Sequence, residues 1–176
     1  GIAPIKETLA AGLMRMTGWD GTNNLVDPLC GSGTFLIEAV STLLGIASGM
    51  DRQFLFKNWP DFDISIWDRE LKMAKRVQTL NKKLPAIIGC EFDEEIANAA
   101  RYNVEKAGLE KYIKIINCSF QEFKLPLGVG VLICNPPYGK RVGDENKLPN
   151  LYRQLGEYCK TQASGWDLWV LNGNPE

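Results

Sequence analysis

Hydrophobic positions along the chain follow two different spacings. Short apolar runs rich in branched side chains alternate with longer segments in which apolar residues recur at helical intervals. The first pattern is typical of buried strands and the second of amphipathic helices. The predicted strands are Asn24–Asp27, Ala86–Glu91, Ile113–Cys118, Val131–Cys134 and Trp166–Leu171. The predicted helices span about 4–16, 35–45, the segment between a cap at Asp93 and a stop at Gly108, and 148–160.

Strands that alternate with helices predict a doubly wound α/β fold, in which helices flank a mostly parallel sheet of Rossmann-like type. The whole chain, 1–176, is expected to form one domain, because its length suits a single substantial core. A sheet of this kind normally continues past the last predicted strand. The final strands are therefore expected to be missing from this chain.

Residues 46–85 interrupt the alternation, since they are too long and too aromatic for a compact crossover. The aromatic residues of this insertion are Phe54, Phe56, Trp59, Phe62 and Trp67. Their density favours side chains that seal the insertion onto the core, with stacking on unpaired RNA bases as the alternative. From Arg69 to Lys83, a helix-like segment carries six positive residues and one negative residue. Contact with RNA phosphates and a solvated helix face are both open for it.

A glycine turn follows the first predicted strand and leads into a helix, as in the first half of a nucleotide-binding βαβ unit. Its residues are Pro28, Cys30, Gly31, Ser32 and Gly33. The glycines let the backbone approach a ligand closely, and the N–H groups of the helix start favour an anion. The phosphate-loop pattern G-x-x-x-x-G-K-[ST] is absent and the dinucleotide pattern G-x-G-x-x-G is incomplete. A smaller anion, such as an amino-acid carboxylate, is expected here.

Acidic residues end the first two predicted strands. Glu91 is placed to accept both hydroxyl groups of a ribose, with an exposed carboxylate ahead of a helix as the alternative. Phe92 is a candidate for the face of an adenine, and Cys118 or Ser119 for its edge. Ribose, adenine and an amino-acid carboxylate together indicate S-adenosylmethionine. Asp27 is then a candidate for the amino group of this cofactor, with simple capping of the turn as the alternative.

The residues Asn135-Pro136-Pro137-Tyr138, followed by Gly139, come directly after the fourth predicted strand. Two prolines fix the backbone in one extended shape, with a polar amide on one side and an aromatic ring on the other. This arrangement predicts a small preset pocket for a flat polar group. A loop that only ends the strand is the alternative.

The composition narrows the chemistry further. Absence of histidine excludes Ser-His-Asp and Cys-His catalysis and any histidine-ligated metal, and no metal site is expected. Five widely spaced cysteines without a C-x-x-C pair predict reduced, mostly buried thiols, and Cys30 has no base to activate it as a nucleophile. A net charge of −1 requires any grip on nucleic acid to be local or supplied by other parts. With neither a signal-peptide pattern nor a membrane-spanning run, a cytoplasmic protein is expected.

The stretches PIKETLAA, VDPLCGSGTFLIEA and NPPYGKR resemble class I methyltransferases that modify exocyclic amines of nucleobases. Over essentially the whole chain, the sequence is most similar to the bacterial 23S ribosomal RNA guanine-N2 methyltransferases of the RlmL type. The insertion, with FLFKNWPDF, resembles the same subfamily. The Asn-Pro-Pro-Tyr motif is shared with adenine-N6, cytosine-N4 and glutamine-amide methyltransferases, so it specifies an amino acceptor without specifying which one.

The resemblance implies methyl transfer to an amine held at the Asn-Pro-Pro-Tyr motif. The Asn135 side-chain oxygen and the Pro136 carbonyl would each accept one N–H of that amine, while Pro137 keeps the backbone rigid. Tyr138 would stack on the extruded base, with packing of its own turn as the alternative. The product proton leaves to water, so no histidine base is needed. Arg141 is a candidate for holding a phosphate next to the flipped base.

The resemblance also places Lys6, Glu7 and Thr8 near the methionine end of S-adenosylmethionine, although a polar helix start is equally consistent. It implies an RNA-binding THUMP domain and often a further methyltransferase domain in the full-length protein, neither of which is in this chain. The expected substrate is a guanine in 23S ribosomal RNA. The alternatives are adenine N6 in DNA and a non-catalytic domain that binds S-adenosylmethionine or RNA in ribosome assembly.

Overall fold

The computed structural model describes residues 5–50, 52–137 and 147–172, without the side chains of residues 147 and 148. Its strands are β1 (Asn24–Asp27), β2 (Ile87–Glu91), β3 (Ile113–Asn117), β4 (Gly130–Cys134) and β5 (Asp167–Val170). Its α-helices are α1 (Glu7–Met16), α2 (Thr34–Leu44), α3 (Ile64–Arg76), α4 (Glu94–Lys106) and α5 (Lys147–Gln162). A single 3₁₀ turn among the described residues spans Leu55–Asn58.

The described strands form one parallel sheet in the order β3-β2-β1-β4-β5. This arrangement confirms the predicted doubly wound α/β fold. Because β1 lies between β2 and β4, the direction of winding reverses between β1 and β4. In open parallel sheets, a ligand crevice forms at such a point, outside the carboxyl ends of the strands.

Helices cover both faces of the sheet. On one face, α1, α2 and α4 pack against the side chains of Leu25, Ile87 and Val131, and on the other, α5 packs near Val26 and Leu132. Every residue of β1 and β4 is buried. Burial from both sides explains why the centre of β1, Leu25 and Val26, and all of β4 read as continuous apolar runs rather than alternating ones.

The predicted ends of α4 are confirmed. The side chain of Asp93 accepts a hydrogen bond from the Ile96 amide at 3.1 Å, which satisfies one free N–H of the first turn. Beyond the last turn, Gly108 has a φ of +67°, a left-handed conformation that glycine adopts without steric cost. Both signals could be read from residue type alone.

The predicted basic helix from Arg69 to Lys83 is wrong at both ends. The helix α3 begins at Ile64, where Asp63 caps it by accepting from the Ser65 amide at 2.9 Å, and it ends at Arg76. Beyond it, the Thr79 amide donates to the Leu44 carbonyl at 2.9 Å, at the end of α2. This tertiary bond draws the chain away from a helical path.

The aromatic residues of the insertion do not seal it onto the main core, so that prediction is also wrong. The ring of Phe56 lies 5.2 Å from those of Phe54 and Phe62 and 5.5 Å from that of Trp67. None of these four side chains is fully buried or belongs to the core clusters. They form a separate aromatic cluster, since closely spaced rings supply enough apolar area to pack on each other. Trp59 stands at its rim with 68% of its surface exposed.

Across the described ranges, we find no helix with both the length and the apolar character needed to cross a bilayer.

Candidate functional site

Polar side chains converge where the parallel strands end. Asp27 ends β1, Glu91 ends β2, Asn117 ends β3, and Asn135 directly follows β4. Since the strands are parallel and neighbours in the sheet, their carboxyl ends share one edge. Asp27, Glu91 and Asn135, which the sequence predicts to belong to one site, therefore lie at the same edge, and Asn117 joins them.

The glycine turn between β1 and α2 is built from left-handed residues. Gly31 has a φ of +52° and Gly33 a φ of +81°, which residues with a Cβ adopt only at a steric cost. The Cys30 amide donates to the Cys90 carbonyl at 2.8 Å, and the Gly33 amide donates to the Cys30 carbonyl at 2.8 Å. Gly33 is the N-cap of α2 and has no side chain to cap the N–H groups of the first turn. Those donors therefore suit an anionic group of a ligand.

Two further glycine-related contacts shape this turn. The Gly31 amide donates to Glu91 Oε2 at 3.1 Å, so the turn is tied to the end of β2. In β2, a Cβ built on Gly89 would lie 2.8 Å from the Cys30 Sγ atom, which is closer than real Cβ contacts. Glycine at position 89 is therefore what lets Cys30 pack against the strand.

Glu91 is half-buried and already oriented. Its Oε1 atom accepts from the Asp93 amide at 3.0 Å, while Oε2 accepts from Gly31. The side chain of Asn117 donates to the carbonyls of Glu91 and Phe92, each at 2.9 Å. Each carboxylate oxygen keeps a second lone pair that can accept from a ligand hydroxyl.

Asp27 is 1% exposed and accepts a hydrogen bond from the Leu29 amide at 3.0 Å. The turn-capping interpretation is therefore present in the structure. Burial raises the pKa of Asp27 to about 8, the hydrogen bond from Leu29 opposes the shift, and the charge of Glu91 adds to it. At neutral pH a carboxyl with this pKa is largely protonated, and a cation beside it would favour its ionised form. The role of Asp27 toward an amino group stays a prediction.

The thiols near this edge are free, and Cys30, Cys90 and Cys134 are buried. Burial raises the pKa of each thiol far above its ordinary value, and the charge of Asp27 acts in the same direction. These cysteines are therefore neutral. The prediction of reduced, mostly buried thiols agrees with the structure, and a neutral Cys30 is a poor nucleophile.

Three other candidates lie on or near the surface. Phe92 is 79% exposed, next to Glu91. Ser119 Oγ lies 3.0 Å from Gln121 Oε1 and accepts from the Gln121 amide at 3.3 Å. Thr8 is exposed in the first turn of α1, and no hydrogen bond among the described residues joins it to the glycine turn. Burial, and to a smaller extent the charge of Glu7 at the start of α1, raise the pKa of Glu38 on α2.

The motif after β4 contributes an unpaired acceptor. Asn135 Oδ1 is buried and has no hydrogen-bond partner in the described part of the chain. The next residue, Pro136, is fully buried, and Pro137 is half-buried. Tyr138 and Arg141 lie outside the described residues. A buried carbonyl oxygen without a partner is costly, which suggests that a ligand donor meets it.

Sequence reasoning missed two asparagines. Asn117 bridges the backbone of Glu91 and Phe92, and Asn103 of α4 donates to the Ser32 carbonyl of the glycine turn at 3.1 Å. A usable signal for Asn103 was its place next to the buried face of α4, three residues after Ala100. Polar side chains at such positions generally need a partner.

The cationic part of α3 lies away from this edge. A cleft of about 530 Å³ is lined by Asp68, Leu71, Lys72, Lys75 and Arg76. The chain just after α3 bonds to the end of α2, and Lys111, close to the start of β3, donates to the Leu80 carbonyl at 2.6 Å. Both contacts belong to the opposite edge of the sheet, because α2 runs back from the glycine turn.

Comparison with known proteins finds one family whose model matches this chain. The chain matches the family model described as UPF0020, RMKL-like, methyltransferase domain, over residues 1–176. It is 43% identical over 186 residues to the ribosomal RNA large subunit methyltransferase K/L of Marinomonas sp. (strain MWYL1), covering 99% of this chain and 25% of that protein. Its identity to the protein of that name from Desulfotalea psychrophila is 35% over 183 residues, covering 100% of this chain and 25% of the relative.

Solved structures of similar chains share the fold. The crystal structure of SMU.472 complexed with SAH superposes with a TM-score of 0.91 at 36% identity, covering 99% of this chain and 46% of that one. A Listeria monocytogenes protein named as a predicted N6-adenine-specific DNA methylase superposes with a TM-score of 0.90 at 34% identity, again covering 99% and 46%. The chain thus spans about a quarter of the two curated relatives and a little under half of these two structures.

Proposed function

The chain belongs to the UPF0020 family of RMKL-like methyltransferase domains, and we propose that it transfers a methyl group from S-adenosylmethionine to the exocyclic N2 amine of a guanine in 23S ribosomal RNA. Support comes from relatives named ribosomal RNA large subunit methyltransferases and from a similar chain crystallised with SAH. The observation that carries the proposal is the buried, unpaired Asn135 Oδ1 at the strand edge. We take residues 1–176 to be the catalytic domain.

The residues at the carboxyl edge fit S-adenosylmethionine. The uncapped backbone N–H groups at the start of α2 suit its carboxylate, and the oriented Glu91 suits its ribose hydroxyls. Phe92 provides an exposed ring for the adenine face and Ser119 a polar group for its edge. When bound, this cofactor supplies a methyl group activated on a sulfonium.

The remaining cofactor assignments depend on charge and shape. Asp27 receives the amino group, either directly or through water, and becomes ionised beside that cation. Pro28 and Cys30 keep the turn in place by packing, since both are buried. Thr8 meets the methionine end from the start of α1.

The acceptor amine is held by the motif after β4. The lone pair of an aryl amine is delocalised into the ring, so the free amine is a poor nucleophile. If Asn135 Oδ1 and the Pro136 carbonyl each accept one N–H, the nitrogen is drawn toward tetrahedral geometry with its lone pair directed away from both acceptors. Pro137 keeps this backbone rigid and Tyr138 stacks on the base. The surplus proton leaves to water, which agrees with the absence of histidine.

Adenine N6 in DNA is the second candidate acceptor. It is favoured by the name of the Listeria relative and by the motif, which suits any exocyclic amine. A non-catalytic role in ribosome assembly is weaker, because it gives the unpaired Asn135 oxygen no task.

We also propose that the full-length protein acts on ribosomal RNA in the cytoplasm, with a THUMP or other RNA-binding domain outside this chain. The location and the RNA-binding domain both follow from ribosomal RNA as the proposed substrate.

The experiment that decides the acceptor is nucleoside mass spectrometry. Full-length protein is incubated with S-adenosylmethionine and unmodified ribosomal RNA, transfer RNA or DNA. N2-methylguanosine in ribosomal RNA alone supports the proposal. N6-methyladenine in DNA would replace it with the second candidate, and no methylated nucleoside in any substrate would favour the assembly role.

A further inference from the structure

The Ser32–Gly33 peptide in the glycine turn is held at both of its ends. The Gly33 amide donates to the Cys30 carbonyl at 2.8 Å, and the Ser32 carbonyl accepts from the side-chain amide of Asn103 at 3.1 Å. A peptide unit is planar and rigid. Two hydrogen bonds at opposite ends therefore fix the orientation of the whole plane.

Such a brace matters because, within the turn, the Gly33 amide to Cys30 carbonyl bond is the one backbone hydrogen bond among the described residues. Gly31 and Gly33 flank Ser32, and glycine has no Cβ to restrict its backbone. Within the described residues, strong side-chain hydrogen bonds to this backbone come from two places. Glu91 of β2 accepts from Gly31, and Asn103 of α4 donates to Ser32. The two bonds hold the Cys30–Gly31 and Ser32–Gly33 peptide units from two different elements.

The position of Asn103 in α4 also favours this task. It is half-buried, next to Val104 and three residues after Ala100, both of which are in the main core. The helix is therefore anchored, and the amide is presented from a rigid element. Asparagine is a poorer helix former than alanine, so its presence in the third turn calls for a compensating contact. The bond to Ser32, 71 residues away in sequence, is that contact.

We propose that Asn103 is a positioning residue for the cofactor site, because it holds the Ser32–Gly33 peptide in the orientation in which the turn meets the carboxylate of S-adenosylmethionine. The inference rests on the proposed function, since it assigns Asn103 to the same cofactor. Asn103 does not touch the ligand in this role. Its effect passes through the backbone of the turn.

Calorimetric binding of S-adenosylhomocysteine to the full-length protein tests this role. In Asn103→Ala the Ser32 carbonyl loses its partner, and in Asn103→Asp a carboxylate of nearly the same shape faces that carbonyl. We expect the dissociation constant to rise about tenfold in Asn103→Ala, the usual scale for a lost hydrogen bond, and further in Asn103→Asp. Asn98→Ala is the matched control, since Asn98 lies on the same helix and bonds Arg101 at 2.6 Å.

A second measurement separates positioning from general stability. In protein without ligand, the Gly33 amide should exchange its hydrogen faster in Asn103→Ala than in Asn98→Ala. The KM for S-adenosylmethionine should rise, while the KM for RNA stays unchanged.

If both Asn103 variants bind as tightly as wild type, or only the melting temperature falls, the inference is wrong. If Asn103→Asp unfolds, Asn103→Ala decides. If wild-type protein fails to bind, the proposed function fails, and the exchange comparison still tests the brace.

Discussion

The backbone amide of Gly31 donates a 3.1 Å hydrogen bond to Glu91 Oε2, so the glycine turn and the end of β2 act as one unit. The second carboxylate oxygen accepts from the Asp93 amide at 3.0 Å. The carboxylate is thus oriented before any ligand arrives. Its remaining lone pairs face no described donor and can accept hydroxyl groups.

Replacing Glu91 should weaken cofactor binding in two ways, by removing the ribose acceptor and by releasing Gly31. In Glu91→Ala we expect calorimetry with S-adenosylhomocysteine to show about a ten- to hundredfold higher dissociation constant, the scale for hydrogen bonds to a charged group. Glu91→Gln should lose less, because its amide oxygen can still accept one hydrogen bond. Glu95→Ala, in the first turn of α4, is the control. An unchanged affinity in Glu91→Ala would refute the ribose assignment.

The raised pKa of Asp27 predicts a pH dependence of stability. Its folded value is about 8 against an ordinary value of 3.8, so between these pH values the folded chain binds a proton that the unfolded chain does not. Raising the pH through this window therefore removes stability. Asp27→Asn keeps the shape and an oxygen for the Leu29 amide but does not titrate. Urea unfolding should show the wild type losing stability relative to Asp27→Asn between about pH 4 and pH 8.

Asp20 provides a contrasting control for this titration. Hydrogen bonds from Thr22 lower the pKa of this exposed carboxyl. Any stability that Asp20 contributes is therefore present above its ordinary pKa and is lost only in acid. Asp27 acts in the opposite direction, because its contribution is lost as the pH rises. Parallel stability curves for the wild type and Asp27→Asn would show that Asp27 is ionised in the folded protein.

Much of the fold could be predicted because each strand and helix has its own spacing of apolar residues. The ends of α4 followed from Asp93 and Gly108, which act locally. The end of α3 could not, because it depends on the bond from Thr79 to Leu44, between segments that are distant in sequence. The aromatic cluster was misjudged for a related reason. A high density of aromatic residues predicts that the rings are buried. It does not tell whether they pack on the main core or on one another.

In the candidate site, too, residues placed by local signals could be predicted, and residues that depend on distant contacts could not. Glu91 and Asn135 could be found because the ends of parallel strands converge whatever the details of packing. For Asn103, the place beside the buried face of α4 signals only that the side chain needs a partner, and it does not show that the partner is Ser32, 71 residues away. No periodicity encodes such a contact. Asn117 is similar, because its two bonds join β3 to the turn after β2.

The cations of α3 are predicted to contribute to RNA affinity without affecting cofactor binding. Lys72, Lys75 and Arg76 surround a cleft and form no ion pair in the described structure, where Arg69–Glu70 is the pair observed. Replacing all three by alanine should lower RNA affinity of the full-length protein. The dependence of log K on log salt should become shallower by about 0.7 to 0.9 for each cation that meets a phosphate.

The matched control for this set replaces Lys114, Lys124 and Lys160, which are exposed elsewhere. Equal effects of the two triple variants would indicate a general charge effect. An unchanged salt slope in the α3 variant would show that this face is solvated or covered by protein.

The unpaired oxygen of Asn135 predicts a selective loss of chemistry. In Asn135→Ala the acceptor amine loses one of its two partners, so methyl transfer by the full-length protein should fall by about a hundred- to a thousandfold, as when a polarising group is removed from an active site. Affinity for S-adenosylhomocysteine should stay unchanged, because Asn135 faces the amine.

Asn135→Asp should keep more activity than Asn135→Ala, since a carboxylate oxygen can also accept the N–H. Removal of the unpaired Oδ1 oxygen should leave the melting temperature the same or higher, because a buried acceptor without a partner costs stability. Turnover within a few-fold of wild type in Asn135→Ala would show that the amine is held by other groups.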